Sequence, residues 1–497
     1  MIHAHSLGRA RRYYPEARAL VSHEKGFSFR ELHDHVANIA GALTEHGFRA
    51  GDRLALLLPN ETDYLELIYA CAWLGVIIVP LNTRLSATEI DHILSDASPR
   101  GLIRHSTFAA PTVQFSQELV IDKQPLNVVN SNSAPEPIYD PEAVFTLIYT
   151  SGTTGLPKGV ALTHANILAD VDHVNYWLPY KERGVYLHSA PLFHIADFPF
   201  TFASPAFGTC QITIPKFSPQ VFCEIVERER ITHTVLVPTM INLLLQYEEL
   251  KSFDLTSLEN LGYGGSPIAP ELIHRTRELL PKVKLLQVYG LTETGFLSGL
   301  QDHEHIEARL TSCGRPCPGI EVRVVDDSGK EVEVGQPGEL IARGANVMHG
   351  YWNNPKESSL AFSDGFFRTG DIGYQDVQGY FYILDRLKDM IVSGGENVYS
   401  GEVEAVISQH PAVREVAVFG IPDPKWGELV MACVVLKPGN TLTADQLTAY
   451  SRKSLASYKI PRAIEFSETD LPKSGSGKIL KKNLRDRFWV DHQRAVG

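Results

Sequence analysis

The sequence predicts an α/β protein with more than one domain. A large N-terminal domain should contain mostly parallel sheets covered by helices, together with a small β subdomain, and an α+β C-terminal domain should follow. The chain has 497 residues, which is enough for two or more domains. Apolar strand patterns alternate with amphipathic helical patterns over its first part, which is typical of a parallel sheet covered on both faces. After about residue 310, short strands with turn signals replace this alternation.

Helix-start signals mark the N-terminal part. Ser28 and Glu31 have the spacing of a capping box, and Ser86 and Glu89 repeat that spacing. Between them, Asn60 is expected to cap another helix with its side-chain oxygen. The remaining predicted elements of this part are strands at 53–58, 76–79, 102–104, 143–148, 234–237 and 285–289, and helices from 164, near 221–229 and near 270–280.

The domain limits follow from the change in pattern. The N-terminal domain is predicted at 1–384, with the β subdomain at about 311–384. A charged linker follows at 385–389, and the C-terminal domain at 390–497 has the size of an independent folding unit. Within the C-terminal domain we expect helices at 400–409 and 444–454, strands at 414–419 and 430–436, and a basic helix from 478 to 488.

Composition and charge argue against several classes of protein. The formal net charge is -12, which argues against a general nucleic-acid binder. The six cysteines are scattered without a Cys-x-x-Cys pair, as in a cytosolic protein with reduced thiols. The N-terminus lacks a signal-peptide core, and the longest apolar run, at 67–81, is shorter than a membrane span. We therefore expect a cytoplasmic protein with no integral membrane segment and no nucleic-acid partner.

The stretch YTSGTTGLPKG at 149–159 is the strongest local signal. It follows a predicted buried strand, and open α/β sheets usually bind ligands where strands end. Glycines let backbone N–H groups approach an anion closely, hydroxyls donate to phosphate oxygens, and a lysine adds a positive charge. The loop therefore suits a polyphosphate, although it lacks the Gly-Lys-Ser/Thr spacing of the common P-loop. The residues expected to bind are Thr150, Ser151, Gly152, Thr153, Thr154, Gly155 and Lys158.

Five motifs occur in one order along the chain. They are the loop at 149–159, YGLTETG at 289–295, RTGD at 368–371, DRLKD at 385–389 and PKSGSGK at 472–478. With these motifs the chain resembles the adenylate-forming superfamily, which includes acyl-CoA synthetases, adenylation domains of peptide synthetases and firefly-type luciferases. Because five motifs keep their order over nearly the whole chain, a chance match is very improbable.

The resemblance implies an enzyme that works in two steps. A carboxylate attacks the α-phosphate of ATP to give acyl-AMP and pyrophosphate, and a thiol then attacks the acyl-AMP and releases AMP. The implied activity is that of an AMP-forming acid–CoA ligase, with ATP, Mg²⁺ and CoA as cofactors and co-substrate. A small-molecule carboxylic acid is the implied substrate, and a homodimer is an open alternative for the assembly.

The same resemblance assigns roles at the phosphates. Glu293 would hold Mg²⁺, with Thr154 of the loop, because one carboxylate plus phosphate oxygens is a normal magnesium site. Thr292 would contact the phosphate. Lys478 would be the main catalytic residue, since a lysine at the α-phosphate stabilises the charge that adenylation builds there. From spacing alone, Lys478 is equally a basic residue at the start of a surface helix; the motif match favours the catalytic role.

The nucleoside would be held by a second group of residues. Tyr289 would offer adenine a stacking face, and a glycine backbone would form the other wall of the slot. Asp371 would accept both ribose hydroxyls with its two oxygens, and Arg386 would reach the ribose or the phosphate. The residues implied around adenine are Gly264, Gly265, Ser266, Tyr289 and Gly290.

The resemblance also implies a mobile C-terminal domain. Lys478 must reach the α-phosphate in the first step and the CoA thiol must reach the acyl carbonyl in the second, so the domain would rotate about a hinge at Lys388. Rotation would remove Lys478 and bring in a loop whose glycines leave room for a pantetheine arm. The residues of this loop are Ser393, Gly394, Gly395 and Glu396.

The acid is less well specified. Residues 191–200 match the family's acyl-site segment, in which His194 would lie near the carboxylate and gate its entry. An amino-acid substrate would need an aspartate to bind its amine. Asp197 is the one carboxylate in this segment that could do so, but it could equally cap the following helix. The apolar surroundings suit an alkyl or aryl acid, with a medium to long fatty acid as the first expectation. They comprise Phe193, Phe198, Phe200, Phe202, residues 237–240, Phe296 and Leu297.

Two departures from the family pattern keep alternatives open. Ser400 replaces a proline often found after Asn-Val-Tyr, which should change only loop stiffness. Phe296 stands where small residues are frequent, and its bulk could shorten the acyl pocket in favour of an aryl or a short or branched acid. An adenylating enzyme that passes the acyl group to a carrier protein is a further alternative. A non-catalytic homologue is disfavoured because Lys478 and Glu293 are present.

Overall fold

The computed structural model describes residues 5–21, 26–123, 135–151, 157–178, 180, 182–473 and 479–490. Over this part of the chain, strands and helices alternate, and the predicted α/β class is confirmed. Among the described residues, no helix has both the length and the apolar character needed to cross a membrane. In chain order the strands are β1 (Arg18–Val21), β2 (Gly26–Ser28), β3 (Arg53–Leu57), β4 (Ile77–Pro80), β5 (Gly101–Arg104), β6 (Gln117–Val120), β7 (Val144–Ser151), β8 (Pro157–Thr163), β9 (Val185–His188), β10 (Cys210–Thr213), β11 (His233–Leu236), β12 (Asn260–Gly264), β13 (Lys284–Leu291), β14 (Gly295–Leu300), β15 (Arg315–Pro316), β16 (Glu321–Val325), β17 (Gly338–Arg343), β18 (Gly350–Tyr351), β19 (Phe362–Ser363), β20 (Phe366–Gln375), β21 (Phe381–Arg386), β22 (Ile391–Ser393), β23 (Glu396–Val398), β24 (Val413–Asp423), β25 (Gly427–Leu436) and β26 (Ala463–Phe466).

The α-helices lie mainly between consecutive strands. They are α1 (Leu7–Tyr13), α2 (Phe29–Glu45), α3 (Thr62–Leu74), α4 (Ala87–Ala97), α5 (His164–Trp177), α6 (Phe200–Ala206), α7 (Pro219–Glu229), α8 (Pro238–Leu245), α9 (Pro270–Leu279), α10 (Pro355–Leu360), α11 (Ser400–Ser408), α12 (Ala444–Ser451) and α13 (Lys481–Arg485).

The chain divides into two compact units. The first comprises Met1–Val322 and Ala342–Phe367, and the second comprises Arg323–Ile341 and Arg368–Gly497. The domain limits drawn from the sequence, at 384 and 390, and the hinge between them stay predictions.

Two mostly parallel sheets form the frame of the first unit. One has the strand order β15-β14-β13-β12-β11-β9-β10-β1-β2, and its strands from β13 to β1 run parallel. The other has the order β18-β8-β7-β4-β3-β5-β6, with parallel pairing from β7 to β6. Helices α2, α3, α5 and α6 bury their apolar faces in the largest core cluster, which includes the fully buried rings of Phe29, Tyr64 and Phe145. Burial of this apolar surface is the main stabilising contribution in this unit.

Local signals located several helix starts. Both capping boxes are confirmed: Ser28 accepts from the backbone of Glu31, and Ser86 from that of Glu89. The prediction for Asn60 is wrong. Helix α3 begins at Thr62 without a side-chain cap, and Asn60 instead donates to the Ala190 carbonyl at 2.7 Å. A buried side-chain amide gains more from satisfying both its donor and its acceptor at a distant loop than from capping its own helix.

The second unit contains the smaller sheets. In the β subdomain, strand β17 lies next to β20, and β20 pairs with β21 in antiparallel orientation. A further sheet has the order β23-β22-β25-β24, with β26 parallel to β25. Helices α11 and α12 cover it through buried Val403, Ile407 and Leu447. The basic helix predicted from 478 is observed as α13, which begins at Lys481.

Candidate active site

The phosphate-binding loop predicted at 150–158 connects two antiparallel strands. Strand β8 was not predicted, and it pairs with β7 so that Thr150 faces Lys158 across the ladder. Gly159 is required there, because a Cβ atom on it would lie 2.9 Å from the Tyr149 ring. Four predicted phosphate ligands, together with the side chain of Ser151, lie outside the described residues. These four are Gly152, Thr153, Thr154 and Gly155.

Lys158 is held at the start of β8 by contacts that the sequence did not reveal. Its ammonium forms an ion pair with Glu357 of α10. It also lies 5.5 Å from the centre of the Tyr351 ring, within the range of a cation–π interaction. The Lys158 side chain is mostly buried, and the Glu357 side chain is about one-third exposed. A carboxylate therefore occupies the position next to Lys158 that a phosphate would compete for.

Glu293 lies in the turn between β13 and β14 and is fixed by strand β18. The Tyr351 hydroxyl donates to Glu293 Oε1 at 2.9 Å, and the Met348 N–H donates to the Glu293 carbonyl at 2.7 Å. Burial and the neighbouring Glu293 carboxylate raise the pKa of Tyr351, so it is a hydrogen-bond donor at neutral pH. Tyr351 thus links Lys158 to Glu293, two residues that the sequence placed at the phosphates from separate motifs.

The turn that contains Glu293 is also stabilised by hydrogen bonds to two distant side chains. Asp170 of α5, fully buried, accepts from the Phe296 N–H at 2.8 Å, and Asn346 donates to the carbonyls of Thr294 and Phe296. Gly295 is the residue that permits this approach, since a Cβ atom on it would lie 2.4 Å from Asp170 Oδ2. Nothing local in the sequence marked Asp170 or Asn346, because their partners are more than a hundred and about fifty residues away.

The residues predicted around adenine lie at neighbouring strand ends. Gly264 ends β12 and pairs with Val288 of β13, one residue before Tyr289. A Cβ atom on Gly264 would lie 2.3 Å from the Val288 carbonyl oxygen, so the close approach of the two strands requires glycine. Gly265 follows with a φ of +78° and an exposed backbone. Ser266 and Tyr289 are half-buried, which leaves part of each surface open to a ligand.

Gly290 and Thr292 complete the β13–β14 connection. Gly290 must lack a side chain, because a Cβ atom on it would lie 1.8 Å from the Gly295 carbonyl oxygen. Thr292 is half-buried beside Glu293, as a phosphate contact requires. Tyr289, Gly290, Thr292 and Glu293 therefore lie together at the carboxyl end of β13.

In the described part of the chain, Glu293 does not belong to a group of side chains that could bind a metal ion by themselves. Within the described ranges, no group of three or more His, Cys, Asp or Glu side chains could hold a metal ion. Glu293 is half-buried and has one oxygen engaged by Tyr351, whose ring lies beside Lys158. One carboxylate in such a setting fits Mg²⁺ only when phosphate oxygens and waters supply the remaining ligands. Glu293 therefore suits a metal ion that binds together with a polyphosphate.

The predicted acyl-site segment is anchored by a buried polar network. Asp197 accepts from the Tyr186 hydroxyl at 2.6 Å and pairs with His188 at 2.9 Å, and all three side chains are fully buried. Asp197 does not cap α6, whose N-cap is Pro199. His194 lies in the turn before it, where its ring accepts from the Ala196 N–H at 3.2 Å. Because Asp197 is already paired, it is not a site for a substrate amine.

The aromatic residues expected to line the acyl site pack mostly against one another. Phe198 and Phe202 lie edge to face and both contact Phe145. Phe200 stacks on Tyr186 at 4.9 Å and meets Phe296 edge to face at 5.9 Å. The expectation that Phe198, Phe200 and Phe202 form pocket walls is therefore wrong, since all are at most 2 % exposed. Phe296, 7 % exposed, retains a small free face.

In the second unit, Asp371 and Arg386 form an ion pair. They face each other across β20 and β21, and Arg386 Nε lies 2.6 Å from Asp371 Oδ1. Asp371 is 2 % exposed, whereas Arg386 is 40 % exposed. The sequence predicted both residues at the ribose but not their contact. The pair leaves the exposed guanidinium as the group that meets solvent.

The residues predicted for the hinge and for CoA both belong to this unit. The carbonyl of Lys388 accepts from Arg485 at 3.1 Å, and burial lowers the pKa of its ammonium. Ser393 and Glu396 flank a turn in which Gly394 and Gly395 both have positive φ. The side chain of Trp426 lies against Gly394, and Gly395 has open space around it. Lys478 lies outside the described residues.

Comparison with known proteins gives two family matches. The model of the AMP-binding enzyme family matches residues 7–352, and that of the AMP-binding enzyme C-terminal domain matches residues 402–478. A feruloyl-CoA synthase of Amycolatopsis sp is 38% identical over 97% of this chain and 98% of its own length. A fatty acid–[acyl-carrier-protein] ligase of Streptomyces coeruleorubidus is 34% identical over 97% of this chain and 95% of its own.

A solved structure is similar over the same extent. The o-succinylbenzoate CoA synthetase of Bacillus subtilis, in complex with its acyl-adenylate intermediate, has a TM-score of 0.86 and 33% identity. The match covers 97% of each chain.

Proposed function

Because this chain belongs to the AMP-binding enzyme family and is an ATP-dependent, AMP-forming acid–CoA ligase, we propose that it converts an apolar aryl acid into its CoA thioester. The acid would first become an acyl-adenylate, with loss of pyrophosphate. The CoA thiol would then displace AMP.

The linkage of Lys158, Tyr351 and Glu293 supports the adenylation step. On ATP binding, Lys158 exchanges the Glu357 carboxylate for a phosphate oxygen, which costs little because one anion replaces another. Glu293 would hold the Mg²⁺ that accompanies ATP, and the ion would supply positive charge beside the phosphates. Thr292 and loop residues 150–155 complete the phosphate contacts.

The nucleoside and the second step use the remaining predicted residues. Adenine lies between Tyr289 and the glycine backbone at 264–265, and the Asp371–Arg386 pair binds the ribose. Lys478 stabilises the charge on the α-phosphate. The turn at 393–396, next to the hinge at Lys388, accommodates the pantetheine arm of CoA.

The packing around Phe296 is the observation on which the proposed class of acid rests. The rings of Phe200 and Tyr186 fill the space behind Phe296, which favours a short planar acid over a long flexible chain. A planar ring also packs well against the small free face of Phe296. The buried Asp197 is engaged by Tyr186 and His188, so this carboxylate does not serve a substrate amine. The similarity to a feruloyl-CoA synthase is in line with this choice.

A fatty acid is the second candidate. It was the first expectation from the sequence, and the similarity to a fatty acid ligase supports it. That relative also keeps transfer to an acyl-carrier protein open as an alternative to CoA.

Pyrophosphate release with ATP and Mg²⁺, with and without CoA, tests the proposal. The acids should include benzoic and hydroxycinnamic acids and straight-chain fatty acids of increasing length. We expect release that depends on an aryl acid, and an aryl-CoA product when CoA is present. Faster release with a fatty acid would favour the second candidate, and acyl-AMP that CoA does not discharge would point to a carrier protein.

A further inference from the structure

Ser400 occupies a position where a resemblance to the family leads one to expect proline. It is the first residue of α11 and is completely buried. The first N–H groups of a helix have no partner within it, and proline is favoured there because it lacks the N–H. In this chain the N–H of Ser400 has a partner, since it donates to Asp385 Oδ2. Ser400 therefore makes a backbone hydrogen bond that a proline at this position could not make.

The hydroxyl of Ser400 has a second partner. Lys481 Nζ donates to Ser400 Oγ at 2.6 Å and lies 2.8 Å from Glu404 Oε1. Burial, the largest single effect, lowers the pKa of Lys481, but the carboxylates of Glu404, Asp385 and Asp389 together raise that pKa above its ordinary value, so the ammonium stays charged. A buried charge needs its full set of hydrogen-bond partners, and the Ser400 hydroxyl is one of them.

These contacts join two segments of functional interest. Asp385 is the penultimate residue of β21, at the start of the predicted hinge, and Lys481 begins α13, three residues after Lys478 in the chain. At its other end α13 is tied to the hinge as well, because Arg485 donates to the Lys388 carbonyl and lies 3.5 Å from Asp389. The helix that follows Lys478 is therefore fixed to the hinge segment at two points.

We propose that Ser400 is a positioning residue for adenylation: through Asp385 and Lys481 it fixes the helix that follows Lys478 against the hinge. The proposal rests on the function proposed above, in which Lys478 acts in the first step only. A loss of this contact should therefore impair acyl-AMP formation and spare the transfer of a preformed acyl group to CoA. A residue with a merely structural role would affect both steps together.

Three substitutions separate the two contacts. Ser400→Ala keeps the N–H that Asp385 accepts and removes the acceptor for Lys481, and Ser400→Pro removes both. Ser400→Thr keeps both groups and serves as the rescue variant. Ser408→Ala is the matched control, because Ser408 lies in the same helix and its exposed hydroxyl donates only to the Ala405 carbonyl. Lys481→Gln tests the same contact from the other partner, should a Ser400 variant fail to fold.

The two half-reactions are measured separately on the full chain. We expect Ser400→Ala to lower the rate of acid-dependent pyrophosphate exchange about tenfold, as for one hydrogen bond to a charge, and Ser400→Pro to lower it further. CoA transfer from synthetic acyl-adenylate should stay within about twofold of wild type, and Ser400→Thr should recover the exchange rate. Unchanged exchange in Ser400→Ala and Lys481→Gln, or equal loss in both steps, would overturn the proposal. A wild-type enzyme that forms no adenylate would instead contradict the proposed function.

Discussion

At the residue scale, Lys158 and Glu293, both predicted at the phosphates, are joined by a tyrosine that no motif contains. Tyr351 donates to Glu293 and lies beside Lys158, although it is 58 residues from Glu293 in the sequence. The motifs predicted Lys158 and Glu293, because the chemistry of phosphate binding selects those residue types. They could not predict Tyr351, because its position depends on the pairing of β18 with β8.

The substitution Tyr351→Phe tests this link. It keeps the ring beside Lys158 and removes the donor to Glu293. We expect the Mg²⁺-dependent adenylation rate to fall about fivefold to tenfold, since the hydrogen bond is to a carboxylate. The measurement is pyrophosphate exchange as a function of Mg²⁺ concentration. Tyr139→Phe, at an exposed tyrosine, is the control, and equal rates in the two variants would remove Tyr351 from the site.

Asp170 should make the stability of the protein depend on pH. Burial raises its pKa to about 7, so the folded state holds a proton that the unfolded chain releases near pH 4. Stability should therefore fall as pH rises from about 4 to about 7. Asp170→Asn removes that proton exchange and should flatten the fall, measured by urea unfolding at several pH values. If the slope of Asp170→Asn stays that of wild type, Asp170 does not titrate in this range.

At the element scale, local signals located helix starts better than strand pairings. The capping boxes at Ser28 and Ser86 are complete within four residues, so the sequence alone determined them. Strand β8 was missed because it forms a hairpin with β7, and the loop between the two strands resembled in the sequence a connection from a strand to a helix. Asn60 was misplaced for a related reason, since its partners lie 130 residues away at Ala190 and beyond.

The β12–β13 pair gives a prediction at this scale. Gly264→Ala would place a Cβ atom 2.3 Å from a backbone oxygen, which the strands can relieve only by separating. We expect a loss of several kcal/mol, about 2–4, in the free energy of unfolding. Gly265→Ala meets only the Val237 side chain, at an ordinary contact distance of 3.8 Å, and should cost only about 1 kcal/mol, for its positive φ. Denaturant unfolding of both variants distinguishes the two effects, and equal losses would contradict the close strand approach.

At the scale of the whole molecule, the motif order identified the family, the enzyme class and the use of ATP, Mg²⁺ and CoA, and the family matches confirm these predictions. The identity of the acid could not be predicted in the same way. In the sequence, the aromatic residues of the acyl-site segment could form either a pocket wall or part of the core, because both are rich in aromatic side chains. Only the observed packing of Phe198, Phe200 and Phe202 shows that they belong to the core. The homodimer stays a prediction.

Domain alternation is also a property of the whole molecule. If Lys478 acts in the first step only, Lys478→Ala should reduce acid-dependent pyrophosphate exchange by about a thousandfold and leave CoA transfer from synthetic acyl-adenylate largely intact. Single-turnover assays of each step give the comparison. Loss of both steps to the same extent would contradict a two-conformation mechanism.

The most direct test of the proposed activity is a competition between acids. Wild-type enzyme is given ATP, Mg²⁺ and CoA with equal amounts of a hydroxycinnamic acid and dodecanoic acid, and the thioesters are quantified by mass spectrometry. The ratio of products is the ratio of the two kcat/KM values. The packing around Phe296 predicts that the aryl-CoA exceeds the fatty acyl-CoA by about tenfold or more. A product dominated by dodecanoyl-CoA would contradict that account and establish the fatty acid as the substrate class.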